Sequence, residues 1–221
     1  MTLRRRANKL AGAVARKGGA VAGGLTLAGL VEVVTYRRWR PWCLNWGATE
    51  DEAGRHFAGD ELLEDPTVVT TRAISVDALP GHVFPWLLQM GPGRGGAYTY
   101  DWIENLAGLD MHSADSVLPD YQDLEVGEVL ALGARGPRLR VAVLEPERSM
   151  VLFSEDGNWV WAFALVPGSG RTRLISRNRI RVPGGSPISR AVYKYFMEPG
   201  SLVMERKMLL GIKQRAEAMA P

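Results

Sequence analysis

The sequence predicts an α+β fold in which a curved antiparallel sheet wraps around a long C-terminal helix. Three observations favour this class: a β-branched run near residue 70, five further strand-like runs between residues 128 and 182, and a broad apolar stripe with helical spacing in residues 202–212. Because the turns between successive strands are brief, neighbouring strands must run antiparallel. A sheet curved around the terminal helix buries the apolar stripe economically.

The first 46 residues differ in composition from the rest and are assigned to an N-terminal extension, followed by one domain over residues 47–221. Residues 1–40 contain nine Lys or Arg and one acid, Glu32, although the net charge of the chain is only +3. The remainder is therefore mildly acidic. A nucleic-acid-binding domain carries its positive charge on the folded body, so we expect no nucleic-acid partner.

Residues 18–36 are apolar and rich in Gly and Ala, and Trp39 and Trp42 follow among arginines. Aromatic and basic residues are typical of a membrane–water boundary, but the apolar run is shorter than the roughly 20 residues of a spanning helix and contains Glu32. We expect membrane association through residues 1–40. A soluble helix that packs on the domain or on a partner, and a processed leader, remain as alternatives, with a cytoplasmic localisation otherwise.

The domain begins with short elements that lead into the first strand. Thr49 and Glu52 have the spacing of a capping box and predict a short helix. Residues 67–76 are β-branched and predict the first strand. Residues 77–90 have helical apolar spacing, which two prolines limit to a short helix. Another short helix is predicted for residues 101–106, with Asp101 as its N-cap.

The second half of the domain alternates strand-like runs with turns and ends in a helix. Strands are predicted over residues 128–132, 138–144, 150–154, 158–166 and 171–182. Asp156-Gly157 between two of these runs is a strong hairpin signal. The terminal helix is predicted from Pro187 to Met219, with a break at Pro199-Gly200 and Ser201 as the cap of its second piece.

Side-chain alternation assigns functions to two strand faces. Trp159, Trp161 and Phe163 share one face, which we interpret as the wall of a cavity opposite the terminal helix. On the last strand, alternate arginines between Arg171 and Arg181 share a face. We expect that arginine face to be solvated, with attraction of anionic lipid or phosphate as the alternative.

Several local stretches form a recognisable pattern: Trp46-Gly47, residues 71–74, the stretch from Val83 to Trp102, and His112 to Asp115. With the order of the elements, this pattern resembles the START-like or helix-grip superfamily (SRPBCC), in particular bacterial polyketide cyclase/dehydrase-like and lipid-transport-like proteins. The resemblance covers about residues 45–215. It implies a hydrophobic cavity but no single chemistry, because members range from ligand carriers to enzymes.

The candidate ligand-binding residues are aromatic, methionine and polar side chains near the expected cavity, whose mouth we place at residues 91–115. For the aromatic and methionine members, a purely structural role in the core is the alternative, since the inner face of the sheet is both core and cavity wall. The candidates are Trp86, Arg94, Tyr98, Tyr100, Trp102, His112, Trp159, Trp161, Phe163, Tyr193, Phe196, Met204 and Met208.

The sequence favours neither a cofactor nor a metal. Residues 91–96 match the G-x-G-x-x-G string of dinucleotide-binding proteins, but no parallel strand–helix–strand pattern surrounds them. We expect a tight loop there, with Arg94 able to meet an anionic head group. The single cysteine, Cys43, excludes an internal disulfide and a cysteine-based metal cage.

Residues 101–120 combine His112 with several carboxylates. A histidine beside a carboxylate can act as a general acid or base, so His112 and Asp115 are the catalytic candidates, although no complete nucleophile–base set is visible. Structural roles and metal ligation are the alternatives for this stretch.

Three functional hypotheses follow from these observations. The first is a protein that binds or carries a lipid or other apolar small molecule in an internal cavity, with or without attachment to a membrane. The second is a cyclase or dehydratase that acts on an apolar substrate through His112 and nearby carboxylates. The third is a membrane-associated interaction module that docks through residues 1–40.

Overall fold

The structure is a computed structural model that describes residues 35–106, 108–133, 136–182 and 186–220. The chain divides into two compact units, residues 1–41 and residues 42–221. In the first unit, residues 35–41 are helical. Residues 18–34 of the apolar segment singled out above lie outside the described residues. Within the described part of the chain, no helix is both long enough and apolar enough to cross a membrane.

The second unit contains a sheet, a long C-terminal helix and several short helices. The strands are β1 (Val68–Val76), β2 (Val129–Ala131), β3 (Arg138–Glu145), β4 (Ser149–Ser154), β5 (Trp159–Pro167) and β6 (Thr172–Ile180). The helices are α1 (Glu50–Gly54), α2 (Pro80–Leu88), α3 (Asp101–Leu106), α4 (Pro187–Val192) and α5 (Glu198–Met219), with 3-10 turns at Asp60–Leu62 and Pro119–Tyr121.

The six strands form one curved antiparallel sheet in the spatial order β1-β6-β5-β4-β3-β2. Five of the strands follow one another through short turns, and β1 closes the series by pairing with β6 along its whole length, from Val68 opposite Ile180 to Val76 opposite Thr172. The α+β helix-grip class predicted from the sequence is therefore confirmed, and each strand lies within two residues of its predicted bounds.

Helix α5 packs on the inner face of the sheet. Its buried side chains Met208, Leu209 and Ile212 belong to one hydrophobic core that also takes in residues of β3 to β6 and of α2. Full burial of each such side chain stabilises the fold by about 1.5–3 kcal/mol. The apolar stripe of the sequence is thus covered by the sheet, as its pattern predicts.

The predicted break at Pro199-Gly200 is wrong. Helix α4 continues into α5 through a π-helical turn, Tyr193–Met197, in which the amide of Glu198 donates to the carbonyl of Tyr193. A π-helical turn accommodates Pro199, which has no amide hydrogen to donate. Ser201 accordingly lies inside a continuous helix, where its hydroxyl donates to the carbonyl oxygen of Glu198 at 2.8 Å.

The arginine face of β6 is largely covered rather than solvated. Arg177 is 6% exposed, and its Nε lies 2.8 Å from Oδ1 of Asp60. Arg173 Nε lies 2.7 Å from Oε1 of Glu52, in helix α1. The predicted capping box is confirmed, because Thr49 and Glu52 exchange both hydrogen bonds. The segment that precedes β1 thus supplies carboxylates to the middle of this face, whereas Arg171 and Arg181 at its two ends are exposed.

Candidate functional site

A cavity of about 410 Å³ lies between the inner face of the sheet and helix α5. Its walls come from β1, β5 and β6, from the π-helical turn and α5, and from the segment that leads into α3. The lining residues are Val68, Thr70, Ala97, Thr99, Glu104, Pro137, Ser154, Asp156, Asn158, Trp159, Trp161, Asn178, Ile180, Arg181, Tyr193, Met197, Glu198, Ser201, Met204, Glu205 and Met208.

The sheet contributes an aromatic wall because alternate side chains of β5 point to the same side. The rings of Trp159 and Trp161 stack with centroids 5.5 Å apart and an interplanar angle of 17°. Across the cavity, Met204 and Met208 of α5 present flexible thioethers. This part of the site offers shape-adaptable apolar surface.

Both indole N–H groups of this wall are satisfied from the neighbouring strand. Trp159 Nε1 donates to Oδ1 of Asn178 at 2.8 Å, and Trp161 Nε1 donates to Oγ of Ser176 at 3.0 Å. A buried indole N–H is costly without an acceptor. The two hydrogen bonds therefore hold the rings in place and leave their faces as contact surface.

A buried ion pair lies beneath the same wall. Asn178 Nδ2 donates to Oε1 of Glu205 at 3.1 Å, and the other carboxylate oxygen of Glu205 pairs with Arg72. Arg72 is fully buried, and it also donates to the carbonyl oxygen of Cys43 at 3.2 Å and to Oγ of Ser201 at 3.0 Å. Helix α5 is thereby connected to β1 and β6 through charges as well as through apolar contacts.

Sequence reasoning missed Arg72 and Glu205. The signal was present, since Arg72 interrupts a β-branched strand and Glu205 falls within the apolar stripe of α5. A charge at an inward-facing position needs a partner. The sequence does not say which partner, because the two residues are 133 positions apart.

Thr99 and Glu104 carry polar atoms into the cavity lining. Burial raises the pKa of the Glu104 carboxyl, and the negative charge of Asp101 raises it further, while nearby Thr99 opposes the rise. Thr99 lies close enough to stabilise the ionised form of Glu104. However, neither Oγ1 of Thr99 nor Oε2 of Glu104 makes a hydrogen bond of normal geometry among the described residues. Asp101, predicted to be an N-cap, instead accepts hydrogen bonds from the amide and hydroxyl of Ser113 at 2.8 and 2.6 Å.

Five of the ligand-contact candidates line the cavity: Trp159, Trp161, Tyr193, Met204 and Met208. Burial raises the pKa of Tyr193 to about 12, so its phenol is a neutral hydrogen-bonding group at physiological pH. The structure thus brings these five side chains, which come from β5, the π-helical turn and α5, to one cavity.

Three further candidates are buried in the core and do not line the cavity. Phe163 is fully buried and lies against Trp161, with ring centroids 4.9 Å apart. Trp86 and Tyr98 pack edge to face, and the Tyr98 hydroxyl donates to the carbonyl oxygen of Trp86 at 2.9 Å. Their positions match the structural alternative considered for them.

Four candidates lie elsewhere. Arg94 stacks over the ring of Tyr121 and donates to the carbonyl oxygen of Leu88 at 3.0 Å. The Arg94 side chain of the glycine-rich loop thus contacts neighbouring segments of the domain and not the cavity. Tyr100 lies beneath the ammonium group of Lys207. Trp102 and Phe196 are 66% and 74% exposed.

The position of the cavity mouth, which we placed at residues 91–115, stays a prediction. Of residues 91–115, Ala97, Thr99 and Glu104 contribute to the lining, whereas the exposed lining residues include Asp156, Arg181 and Met197. The described lining includes none of residues 91–96 of the glycine-rich loop.

His112 and Asp115 also lie outside the lining. The His112 side chain is 77% exposed and pairs with Asp110 at 3.2 Å, and the Asp115 side chain is 96% exposed and pairs with Arg215 at 2.8 Å. Solvent surrounds both groups, so this placement does not support proton transfer by His112 in a water-free pocket. Among the described residues, no cluster of three His, Cys, Asp or Glu side chains could hold a metal ion.

No protein-family model matches the chain, and no curated protein matches it significantly. Similar solved structures include protein MLL2253 of Mesorhizobium loti, at 14% identity and a TM-score of 0.43, over 70% of this chain and 100% of that one. KanY protein aligns at 16% identity and a TM-score of 0.46, over 68% and 97%. The polyketide-cyclase-like protein Cgl2372 of Corynebacterium glutamicum aligns at 18% identity and a TM-score of 0.35, over 68% and 87%. At these identities the likeness concerns the fold alone.

Proposed function

We propose that residues 42–221 bind an apolar small molecule or lipid in the cavity between the sheet and α5. The observation that carries this proposal is the cavity itself, whose volume of about 410 Å³ falls within the roughly 300–1,000 Å³ of ligand sites. Stacked indoles and flexible thioethers are side chains that favour apolar ligands without demanding one shape.

Carriage of the ligand at a membrane through residues 1–40 stays a prediction, as does docking of those residues on a protein partner. Catalysis by His112 and Asp115 gains no support from their exposed positions. Binding is therefore the function that the site geometry favours.

Binding of the neutral fluorescent probe N-phenyl-1-naphthylamine to the full chain tests the proposal. We expect Met204→Trp to weaken probe binding at least about tenfold, because the larger indole occupies cavity space. Val203→Trp is the matched control, since Val203 is the neighbouring residue of α5, is 53% exposed and is not part of the lining.

Native mass spectrometry of the purified chain supplies an independent measurement, in which an apolar ligand that co-purifies with the wild type is lost from Met204→Trp. Absence of probe binding together with a ligand-free purified protein would contradict the proposal. Equal weakening by the Met204 and Val203 variants would also contradict it, because the effect would then not depend on the cavity.

A further inference from the structure

Thr99 and Glu104 differ from the other polar side chains around the cavity. Asn178 and Glu205 are satisfied by Trp159 and Arg72. By contrast, Thr99 Oγ1 and Glu104 Oε2 are buried atoms of the lining that make no hydrogen bond of normal geometry among the described residues, although the two side chains lie near each other. A buried polar atom left unpaired is destabilising, and native structures rarely tolerate it without a reason.

The two residues are held in place by their surroundings. They flank the start of α3, whose first residue, Asp101, is anchored to Ser113 by two hydrogen bonds. The amide of Glu104 donates to the carbonyl oxygen of Tyr100 at 3.3 Å. The backbone that carries both unsatisfied atoms is thus fixed on the protein side, and a group within the cavity is the natural partner for them.

The charge of the lining restricts what that group can be. Four lining side chains are acidic (Glu104, Asp156, Glu198 and Glu205), whereas Arg181 is basic. Arg72 compensates Glu205 from beneath the wall. Hydrogen bonds from the Ser154 hydroxyl and from Asn158 lower the pKa of Asp156, so that exposed carboxylate stays ionised. A ligand carboxylate or phosphate would meet like charges in a poorly solvated space.

We propose, on the basis of the binding function above, that the ligand is an uncharged apolar molecule with a hydroxyl or carbonyl group that hydrogen-bonds to Thr99 and Glu104. A threonine hydroxyl both donates and accepts, and a carboxyl group accepts when ionised and also donates when protonated. The pair thus selects by functional group, while the tryptophan and methionine walls accept the apolar body.

Displacement of N-phenyl-1-naphthylamine from the full chain by three matched molecules at pH 7 tests this inference. The molecules are 2-naphthol, 2-methylnaphthalene and 2-naphthoate, which share a ring system and differ in one substituent. We expect Thr99→Val and Glu104→Leu each to weaken 2-naphthol binding about tenfold, as loss of one hydrogen bond predicts, and to leave 2-methylnaphthalene within about twofold.

Glu104→Gln separates hydrogen bonding from charge. The amide both donates and accepts, so this variant should retain 2-naphthol binding, and removal of a carboxylate should tighten 2-naphthoate binding relative to the wild type. Glu50→Gln, at an exposed position of α1, is the control for loss of a surface charge and should change none of the three affinities.

Equal effects of Thr99→Val and Glu104→Leu on the two neutral molecules would overturn the inference, because ordered water or a purely structural role would affect both alike. Tighter binding of 2-naphthoate than of 2-naphthol by the wild type would overturn it as well. Failure of the wild type to bind N-phenyl-1-naphthylamine at all would instead refute the binding function. Thermal unfolding of each variant identifies loss of the fold, and Thr99→Val preserves side-chain volume if Glu104→Leu does not fold.

Discussion

Arg72 and Glu205 form an ion pair in which the Arg72 side chain is fully buried and that of Glu205 is 8% exposed. Buried pairs are not strongly stabilising as such, because desolvation offsets their attraction. Removal of one partner is a different matter, since the other charge stays behind without compensation. Among the acceptors that remain around the Arg72 guanidinium are the backbone carbonyl of Cys43 and the Ser201 hydroxyl.

We therefore expect Glu205→Gln to reduce the free energy of unfolding by about 3 kcal/mol, at the lower end of the range for breaking a buried pair. Urea unfolding monitored by tryptophan fluorescence measures this loss. Glu155→Gln is the matched control, because Glu155 pairs with the exposed side chains of Arg138 and Arg140. Loss of an exposed pair should cost at most about 1 kcal/mol. Similar losses in the two variants would show that the remaining contacts suffice for Arg72.

Helix α5 closes the cavity on one side and packs against the backbone near Tyr98 on another. A Cβ atom at Gly211 would lie 2.6 Å from the carbonyl oxygen of Tyr98 and 2.8 Å from its Cβ. Real Cβ contacts are not that short, so the helix and the Tyr98 segment approach closely only because residue 211 is glycine. The segment that carries Thr99 into the cavity is positioned partly by this contact.

Gly211→Ala should consequently destabilise the domain by about 1–3 kcal/mol, the usual cost of overpacking, although alanine is the better helix former by about 1 kcal/mol. Gly200→Ala in the same helix is the control, because a Cβ there meets nothing within 4 Å and should stabilise the helix. Chemical denaturation of both variants gives the comparison. A stabilising effect of Gly211→Ala would mean that the helix shifts away from Tyr98 at little cost.

At the scale of the whole molecule, the buried clusters that define the fold belong to residues 42–221. The cavity lining also lies entirely within these residues. A domain with its own core is expected to fold by itself.

A chain that begins at Trp42 should accordingly unfold in one cooperative transition and bind N-phenyl-1-naphthylamine as tightly as the full chain. Circular dichroism on heating measures the cooperativity of unfolding, and a fluorescence titration measures the affinity for the probe, with the full chain as reference in both. A broad, non-cooperative transition, or loss of probe binding, would show that residues 1–41 contribute to the fold or to the site.

Much of the architecture follows from local pattern. The period-two alternation of β5 predicts that Trp159 and Trp161 share a face, and the structure confirms that both point into the same cavity. The Thr49–Glu52 capping box is equally local, since its two hydrogen bonds span three residues. The break predicted at Pro199 is wrong because the helix passes through a π-helical turn just before this proline. That turn accommodates the hydrogen bond that proline cannot donate, and its formation depends on more than the proline itself.

The sequence by itself determined the series of strands, the terminal helix and its apolar stripe, because the periodicity of apolar side chains depends only on neighbours along the chain. The tertiary structure alone decided which polar groups meet. The sequence predicts a solvated Arg177, but in the folded domain its Nε lies 2.8 Å from Oδ1 of Asp60, which is 117 positions away along the chain. In the same way, folding placed Thr99 and Glu104 at the cavity and left His112 on the surface. Burial and charge pairing are properties of packing between distant segments, so no local pattern in the sequence specifies them.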